Sequence, residues 1–260
     1  MKFKLLFVSV LTSLWILPQS LFGWGLIGHR IIGELAQRHL GVEAQKKLDG
    51  LLSHAGVAMV ATWGDFVRSD SNYAGTDRWH YRDMPEGLTR QEFDEQVVAQ
   101  DDGGELICRI NSLIDDLAKN PDDTVKLKFL IHFIGDMHQP LHIGHLEDKG
   151  GNGVKIRWMG HETNLHALWD DGMIEFQKLS YTEYADYLCN THPFSVAPFE
   201  KSMILDWAWD TYQTTQTVYA SVDEVSSMYK YNFTYVSLLE SRLVTAAEHL
   251  AQVLNYLYNN

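Results

Sequence analysis

Histidine and aspartate side chains are concentrated between His132 and His142, where the chain reads HFIGDMHQPLH. His132 and Asp136 are four positions apart, so a helix over this segment would place both on one face, one turn apart. Imidazole nitrogen and carboxylate oxygen are both good zinc ligands. Pro140 would end such a helix, because it has no N–H and clashes with the preceding turn. The segment therefore predicts a metal-ligating helix, with a buried structural helix that carries polar residues as the alternative.

The same four-residue spacing occurs a second time, between His166 and Asp170 in LHALWD. Further candidate ligands stand singly in the chain: His29, Asp65, His80 and His142. Each of these alone is more often a structural residue than a ligand. Together they form a donor set without cysteine, which suits catalytic zinc, because such sites leave coordination positions for water and lower its pKa. Several metals close together would also clamp the attacking and leaving oxygens of a phosphoryl group.

The elements that would position these residues are predicted to be helices, since apolar residues recur at helical spacing through most of the chain. Helices are predicted within 24–40, over 42–53, within 55–70, and over 105–119, 124–138, 164–177, 180–189, 200–220 and 231–257. Residues 154–159 alternate like one strand of a small hairpin, and 70–90 and 144–153 are typical of loops. The predicted fold class is all-α with a small β-hairpin, in one domain.

The first 23 residues are typical of a signal peptide. Lys2 and Lys4 precede an apolar run, LLFVSVLTSLWIL, that is too short to span a bilayer as a stable helix. A short segment from Pro18 to Gly23 follows and ends in a small residue. Signal peptides usually have a small residue at the third-last position too, and Leu21 occupies it here, so the cleavage position is ambiguous from this pattern alone. We expect residues 24–260 to form a single catalytic domain that is secreted or periplasmic, has no membrane span and is monomeric.

Overall charge and the cysteines limit the possible partners. The formal net charge of −13 disfavours a protein that binds nucleic acid through a broad basic surface. It leaves open a local pocket in which divalent metals attract a phosphate. Cys108 and Cys189 are predicted to form one disulfide in an oxidising compartment, with two buried free thiols as the alternative.

Six segments, in order along the chain, resemble the S1/P1 nucleases, a family related to zinc-dependent phospholipase C. They are WGLIGH (24–29), WGDFVR (63–68), WHYRD (79–83), HFIGDMHQPLH (132–142), GGN (150–152) and NLHALWD (164–170). The resemblance covers 24–260 and implies a helical fold of the phospholipase C/P1 nuclease type. It implies a hydrolase that cleaves single-stranded DNA and RNA to products with 5′-phosphates. Removal of the 3′-phosphate from nucleotides is a further expectation.

The resemblance also implies a site for three zinc ions. The implied ligands are the α-amino nitrogen and carbonyl oxygen of Trp24 with His29 for the first ion, Asp65, His80 and His132 for the second, Asp136 bridging these two, and His142, His166 and Asp170 for the third. A free α-amino group on Trp24 requires cleavage after Gly23. By this resemblance the bridged pair holds the attacking water, and the third ion stabilises the leaving 3′ oxygen.

Other matching positions are implied to contact the substrate. Arg68 would stabilise the phosphorus transition state, since its fork matches phosphate oxygens, with an ordinary surface arginine as the alternative. Asp83, which the resemblance places among the catalytic residues, would pair with a nearby group or contact the base edge. Tyr81 would stack on the base, and stacking gives broad sequence tolerance because every base has a π-face. Lys149 and Asn152 would border the base site. Lys149 replaces a residue that is often apolar in the family, so the base preference stays open.

Two other functions are compatible with parts of this pattern. A phospholipase C-like phosphodiesterase would keep the metal site and act on lipid head groups, but the GGN segment and Tyr81 favour a nuclease. A non-catalytic zinc-binding or adhesion protein would bind zinc without cleaving phosphodiesters. Turnover of single-stranded DNA and of phosphatidylcholine, with and without a chelator, distinguishes the three.

Overall fold

The computed structural model describes residues 23–99 and 104–259, and these are mainly helical, as predicted. The predicted signal peptide, apart from Gly23, lies outside the described residues. The α-helices are α1 (Leu26–Arg38), α2 (Val42–Leu51), α3 (Val57–Val60), α4 (Trp63–Phe66), α5 (Arg90–Ala99), α6 (Leu106–Lys119), α7 (Thr124–His138), α8 (Leu165–Ala167), α9 (Met173–Phe176), α10 (Tyr181–Thr191), α11 (Met203–Ala220) and α12 (Met228–Tyr258). None of these helices has the length and hydrophobicity needed to cross a bilayer.

Shorter helical turns and one hairpin connect the helices. The 3₁₀ turns are Val67–Ser69, Ser71–Tyr73, Thr76–His80, Pro140–Ile143, Leu146–Asp148 and Val222–Ser226, and Leu168–Gly172 is a π turn. Strands β1 (Lys155–Trp158) and β2 (His161–Asn164) pair antiparallel, with Trp158 opposite His161. The predicted hairpin is therefore confirmed, and it leads directly into α8.

Helix α7 lies at the centre of the fold. Its first turn is capped by the Asp123 side chain, which accepts a hydrogen bond from the Lys126 N–H. From Phe129 to His138 every residue is buried, because α6, α11, α12, α1 and α4 pack around the helix. A helix that is apolar nearly all round requires such an environment, and each large side chain it buries contributes about 1.5–3 kcal/mol. The polar residues of α7 are consequently buried as well.

Three segments differ from the sequence prediction. Residues 55–70 form α3, α4 and a 3₁₀ turn rather than one helix, and 164–177 is interrupted by the π turn. Helix α5 was not predicted; its Phe93 packs against Trp209 and Tyr212 of α11, with ring centroids 5.3 Å apart in both pairs. The signal for α5 was a capping box in which Thr89 and Glu92 bond each other's backbone N–H.

The structure does not form the predicted disulfide. Cys189 on α10 accepts a hydrogen bond from Arg38, with Nη1 and Sγ 3.8 Å apart. Cys108 on α6 instead has its Sγ 3.9 Å from the Val97 carbonyl oxygen. The two thiols are therefore not bonded to each other, and the even number of cysteines does not reflect a disulfide in this structure.

Candidate metal centre

Asp136 is the meeting point of three histidines from three different segments. Its Oδ1 lies 3.2 Å from Nε2 of His29 on α1. Its Oδ2 lies 3.0 Å from Nδ1 of His80, which ends a 3₁₀ turn, and 3.2 Å from Nε2 of His132 on α7 itself. His29, His132 and Asp136 form one buried group that could hold a metal ion. Helix periodicity sets only the His132–Asp136 distance, and the distances from Asp136 to His29 and His80 depend on tertiary packing.

A second group that could hold a metal shares His132 with the first. Asp65 on α4 has its Oδ1 3.7 Å from both His80 Nδ1 and His132 Nε2. All three residues are buried. The two groups are therefore adjacent, and the Asp136 carboxylate faces both of them.

The third group consists of His142, His166 and Asp170. Helix α7 ends before Pro140, whose 3₁₀ turn carries His142, and the rings of His142 and His166 are 5.0 Å apart. His166 Nε2 lies 3.3 Å from Asp170 Oδ2 across the start of the π turn. Such turns are frequent at functional sites, because they change the direction of one side chain within a helix.

Two glycines permit the close packing of these elements. A Cβ at Gly135 would lie 2.9 Å from His29 Nδ1, so glycine is needed for α1 to place His29 against α7. A Cβ at Gly64 would lie 2.5 Å from Cδ2 of His132, so α4 needs glycine for the same reason. Neither distance is compatible with a side chain, since both neighbours are buried rings.

Backbone carbonyl oxygens orient three of the imidazoles. The Nδ1 atoms of His132, His142 and His166 lie 2.7, 2.6 and 2.6 Å from the carbonyl oxygens of Ala61, His80 and Gly150, respectively. A carbonyl oxygen only accepts, so each Nδ1 carries the proton in the neutral ring. Nε2 is then the unprotonated nitrogen, which is the form that binds a metal.

The buried charges also fit a bound cation. Burial raises the pKa of Asp170 well above its ordinary value, even though Gln139 donates a hydrogen bond to it. Burial opposes the charged form of His132, but Asp136 and Asp65 outweigh it and raise the pKa of His132 to about 9. His29 Nε2, His80 Nε2 and Asp136 Oδ1 are buried without a well-aligned hydrogen bond among the described residues, although His29 Nε2 and Asp136 Oδ1 are 3.2 Å apart. Divalent cations would satisfy these atoms and neutralise the carboxylates.

Trp24 is fully buried beside this centre. Its backbone nitrogen forms a peptide bond with Gly23, so it is not a free α-amino group in this chain. Gly23 lies directly against the gap between His29 and Asp136. A Cβ at position 23 would overlap Asp136 Oδ1 and lie 3.0 Å from His29 Nε2. A residue in front of Trp24 therefore occupies the space beside the first group of ligands.

A cavity of about 300 Å³ opens next to the second and third groups. The chain from Tyr81 to Met84 is extended alongside the His142–His145 segment, with the Arg82 N–H bonded to the His142 carbonyl oxygen (2.8 Å). Alternation along this extended segment buries Arg82 and Met84 and leaves the other two side chains for the cavity. The lining residues are His80, Tyr81, Asp83, Leu141, His142, Lys149 and His166.

The other predicted substrate residues occupy different positions. Arg68 lies beside the second group, with Nε 2.7 Å from Asp77 Oδ1 and Nη1 3.5 Å from Asp65 Oδ1. Asn152 is not among the described residues that line the cavity, and its side-chain amide donates to the Lys149 carbonyl oxygen at 2.9 Å. This hydrogen bond stabilises the loop, and the contact of Asn152 with the substrate stays a prediction.

One functional residue was missed from the sequence. Gln139 is fully buried; its side-chain N–H donates to Asp170, and its side-chain oxygen accepts from the Leu141 N–H. It thereby links the end of α7 to the third group. Its position directly before Pro140, between His138 and His142, was the available signal.

Asp83 has a raised pKa, as Asp170 does, although it belongs to none of the three candidate metal-binding groups of the described residues. Burial, together with the negative charges of Asp148 and Glu105, raises the pKa of Asp83 to about 7. Asp83 lines the cavity beside Tyr81 and Lys149, so its carboxyl group faces whatever the cavity holds.

Comparison with known proteins agrees with this geometry. Endonuclease 4 of Arabidopsis thaliana is 26% identical over 275 residues, which cover 91% of this chain and 90% of that protein. Nuclease S1 of Aspergillus oryzae is 32% identical over 186 residues, which cover 66% of this chain and 63% of that protein. Nuclease P1 of Penicillium citrinum is 30% identical over 160 residues, 58% of each chain. The S1/P1 Nuclease family model matches residues 24–259. The chain therefore belongs to the S1/P1 nuclease family.

Proposed function

We propose that this protein is a zinc-dependent endonuclease that hydrolyses single-stranded DNA and RNA to products with 5′-phosphates, and that it also removes 3′-phosphates from nucleotides. The observation that carries the proposal is the convergence of three buried His/Asp groups, with Asp136 between two of them, beside a cavity with an aromatic wall. The family membership and the names of the relatives, all nucleases or endonucleases, support the same reaction.

Three zinc ions would fill the site. His29 and the mature N-terminus of Trp24 would hold one ion, Asp65, His80 and His132 the second with Asp136 shared, and His142, His166 and Asp170 the third. Bound zinc lowers the pKa of water and screens phosphate charge, which are the two requirements for hydrolysing a phosphodiester near neutral pH. The donor set of imidazoles and carboxylates without thiolate suits this catalytic use.

The protein's own residues would orient the substrate around these ions. Arg68 is held beside the second group by Asp65 and Asp77, and from there its guanidinium would contact a phosphate oxygen. Tyr81 lines the cavity and would stack on an unpaired base. Stacking in this way requires the base to leave a duplex, which costs a few kcal/mol, so single strands are the preferred substrates.

We also propose that the signal peptide is removed between Gly23 and Trp24 and that the mature protein is secreted or periplasmic. The position of Gly23 supports this cleavage site, because a side chain there would overlap Asp136 Oδ1, and the peptide bond to Gly23 leaves Trp24 without the free α-amino group that the first ion needs. The family match also begins at Trp24.

The alternative of a phospholipase C-like enzyme is not favoured. The curated relatives named above are nucleases, and the cavity presents a tyrosine, a lysine and a carboxylic acid rather than a wholly apolar wall. A base with polar edges matches this lining better than an acyl chain does.

The deciding experiment uses mature protein that begins at Trp24. Its turnover is measured on single-stranded DNA, single-stranded RNA, duplex DNA and phosphatidylcholine vesicles, each with and without a chelator. We expect chelator-sensitive cleavage of both single strands, slower cleavage of the duplex and no lipid turnover. Lipid turnover alone, or zinc binding without any phosphodiester cleavage, would overturn the proposal.

A further inference from the structure

A second recess lies beside the metal centre, separate from the cavity that Tyr81 borders. It is a groove of about 540 Å³ formed by α1, α3, α4 and the 3₁₀ turn that follows α4. The side chains used in the argument below are Leu26, Arg30, Met59, Trp63, Asp65 and Phe66. The family resemblance assigns none of these except Asp65 to substrate or metal.

The walls of this groove are unusually apolar for an exposed surface. Phe66 is 78% exposed, Leu26 55% and Met59 48%. Three large apolar side chains left in water around one groove mark a binding surface rather than scattered exposure. Trp63 adds a rigid aromatic surface, since its ring is held edge-on against Phe129 with the centroids 5.0 Å apart.

Positive charge accompanies the aromatic rings. Arg30 lines the groove, and its buried Nε has no hydrogen-bond partner among the described residues. Lys128 Nζ lies 5.2 Å from the centre of the Trp63 ring. Proteins bind single-stranded nucleic acid with aromatic side chains next to lysine and arginine, because the bases stack on the rings while the cations contact the phosphate backbone.

The groove is continuous with the metal centre through Asp65. Asp65 lines the groove and also belongs to the Asp65–His80–His132 group. The Tyr81 cavity borders the same group through His80, and it borders the third group through His142 and His166. Among the residues that the structure describes, the two recesses have no lining residue in common, so a strand whose scissile phosphate lies on the metals would have a separate recess for the nucleotide on each side of that phosphate.

We propose that this groove is a second base-binding subsite, which holds the nucleotide on the opposite side of the scissile phosphate from the base in the Tyr81 cavity. Phe66 stacks on that base, and Arg30 contacts the backbone beyond it. This inference rests on the proposed nuclease function and adds to it a substrate that spans at least two nucleotides.

The test compares thymidylyl-thymidine with two dinucleotide analogues, each of which lacks one of the two bases. All three substrates have the same type of scissile bond. We expect loss of the base on the groove side to lower kcat/KM about tenfold in the wild-type protein. In Phe66→Ala this penalty disappears, because there is no ring left to stack on, and in Phe66→Trp it returns.

Phe233→Ala is the matched control, because Phe233 on α12 is 84% exposed and is not among the residues that line either recess. The penalty should remain about tenfold in this variant. Arg30→Gln should instead weaken binding of a thymidine pentanucleotide and reduce its salt dependence, as followed by fluorescence anisotropy in the presence of chelator.

The outcomes separate the two proposals. If the wild-type protein cleaves none of the dinucleotides or longer single strands, the nuclease function fails. If the wild-type protein cleaves them but loses no activity when either base is missing, the nuclease function stands and the groove subsite is refuted. A penalty of the same size in Phe66→Ala as in the wild-type protein also refutes it.

Discussion

Replacing Asp136 by asparagine tests whether this carboxylate organises the centre. In metal-free protein Asp136 faces His29, His80 and His132. Burial opposes a charge on His132, but the Asp136 and Asp65 carboxylates raise its pKa to about 9, against 6.5 for the ordinary side chain. Between these two pH values the folded state binds more protons than the unfolded state. The free energy of unfolding therefore falls as the pH rises through this window.

The size of the effect follows from the pKa difference of 2.5 units. Each unit corresponds to about 1.4 kcal/mol, so the contribution of His132 to the stability of the metal-free wild-type protein should fall by up to roughly 3 kcal/mol between pH 6.5 and 9. In Asp136→Asn the main charge that holds the proton on His132 is gone, and the fall should be much shallower. Urea unfolding of chelator-treated protein at several pH values measures this difference.

The zinc content of the same variant tests the bridging role. Since two of the three proposed ions share Asp136, Asp136→Asn should retain about one ion per chain and lose nuclease activity. Asp122→Asn, which changes an exposed carboxylate, should behave like the wild-type protein in both assays. A full complement of zinc in Asp136→Asn, or an unchanged pH dependence of its unfolding, would refute the reasoning.

Three further changes have defined outcomes. Protein that retains Gly23 before Trp24 should bind one zinc ion fewer than protein that begins at Trp24, as measured by metal analysis, because Gly23 obstructs the first group. Tyr81→Ala should raise the KM for single-stranded DNA about tenfold without lowering the melting temperature, since the ring only lines the cavity. His249→Asn should make the loss of stability below pH 6.5 shallower by about 1.4 kcal/mol per pH unit. The reason is that burial and Arg242 lower the pKa of His249 to about 3, so the unfolded state binds the extra proton.

Several features of the fold were predictable because they depend on local order. Residues that are close together in the chain predict the apolar spacing of α7, its start near Thr124 and its end before Pro140. The His132–Asp136 contact follows from the same periodicity. Helix α5 was missed although its capping box is local, because its two core residues become recognisable only when α11 covers them.

The candidate ligands were also identifiable from sequence, since six short segments carry them in family order. Their partition among three groups came from the resemblance and not from spacing, because His29, Asp65 and His80 are far from Asp136 along the chain. The structure brings them within hydrogen-bonding or metal-binding distance by packing α1 and α4 against α7 at Gly135 and Gly64. Spacing alone could not predict this approach.

The sequence by itself determined the helices, the family and the donor atoms, because periodicity, capping and short motifs are properties of adjacent residues. Only the tertiary structure decided that the two cysteines are not bonded to each other, that the Asn152 amide donates to the Lys149 carbonyl oxygen and that the Gln139 amide donates to Asp170. It also brought Leu26, Met59 and Phe66 together into one groove. These outcomes depend on how distant helices pack, which is set by the burial of the whole core rather than by any single segment.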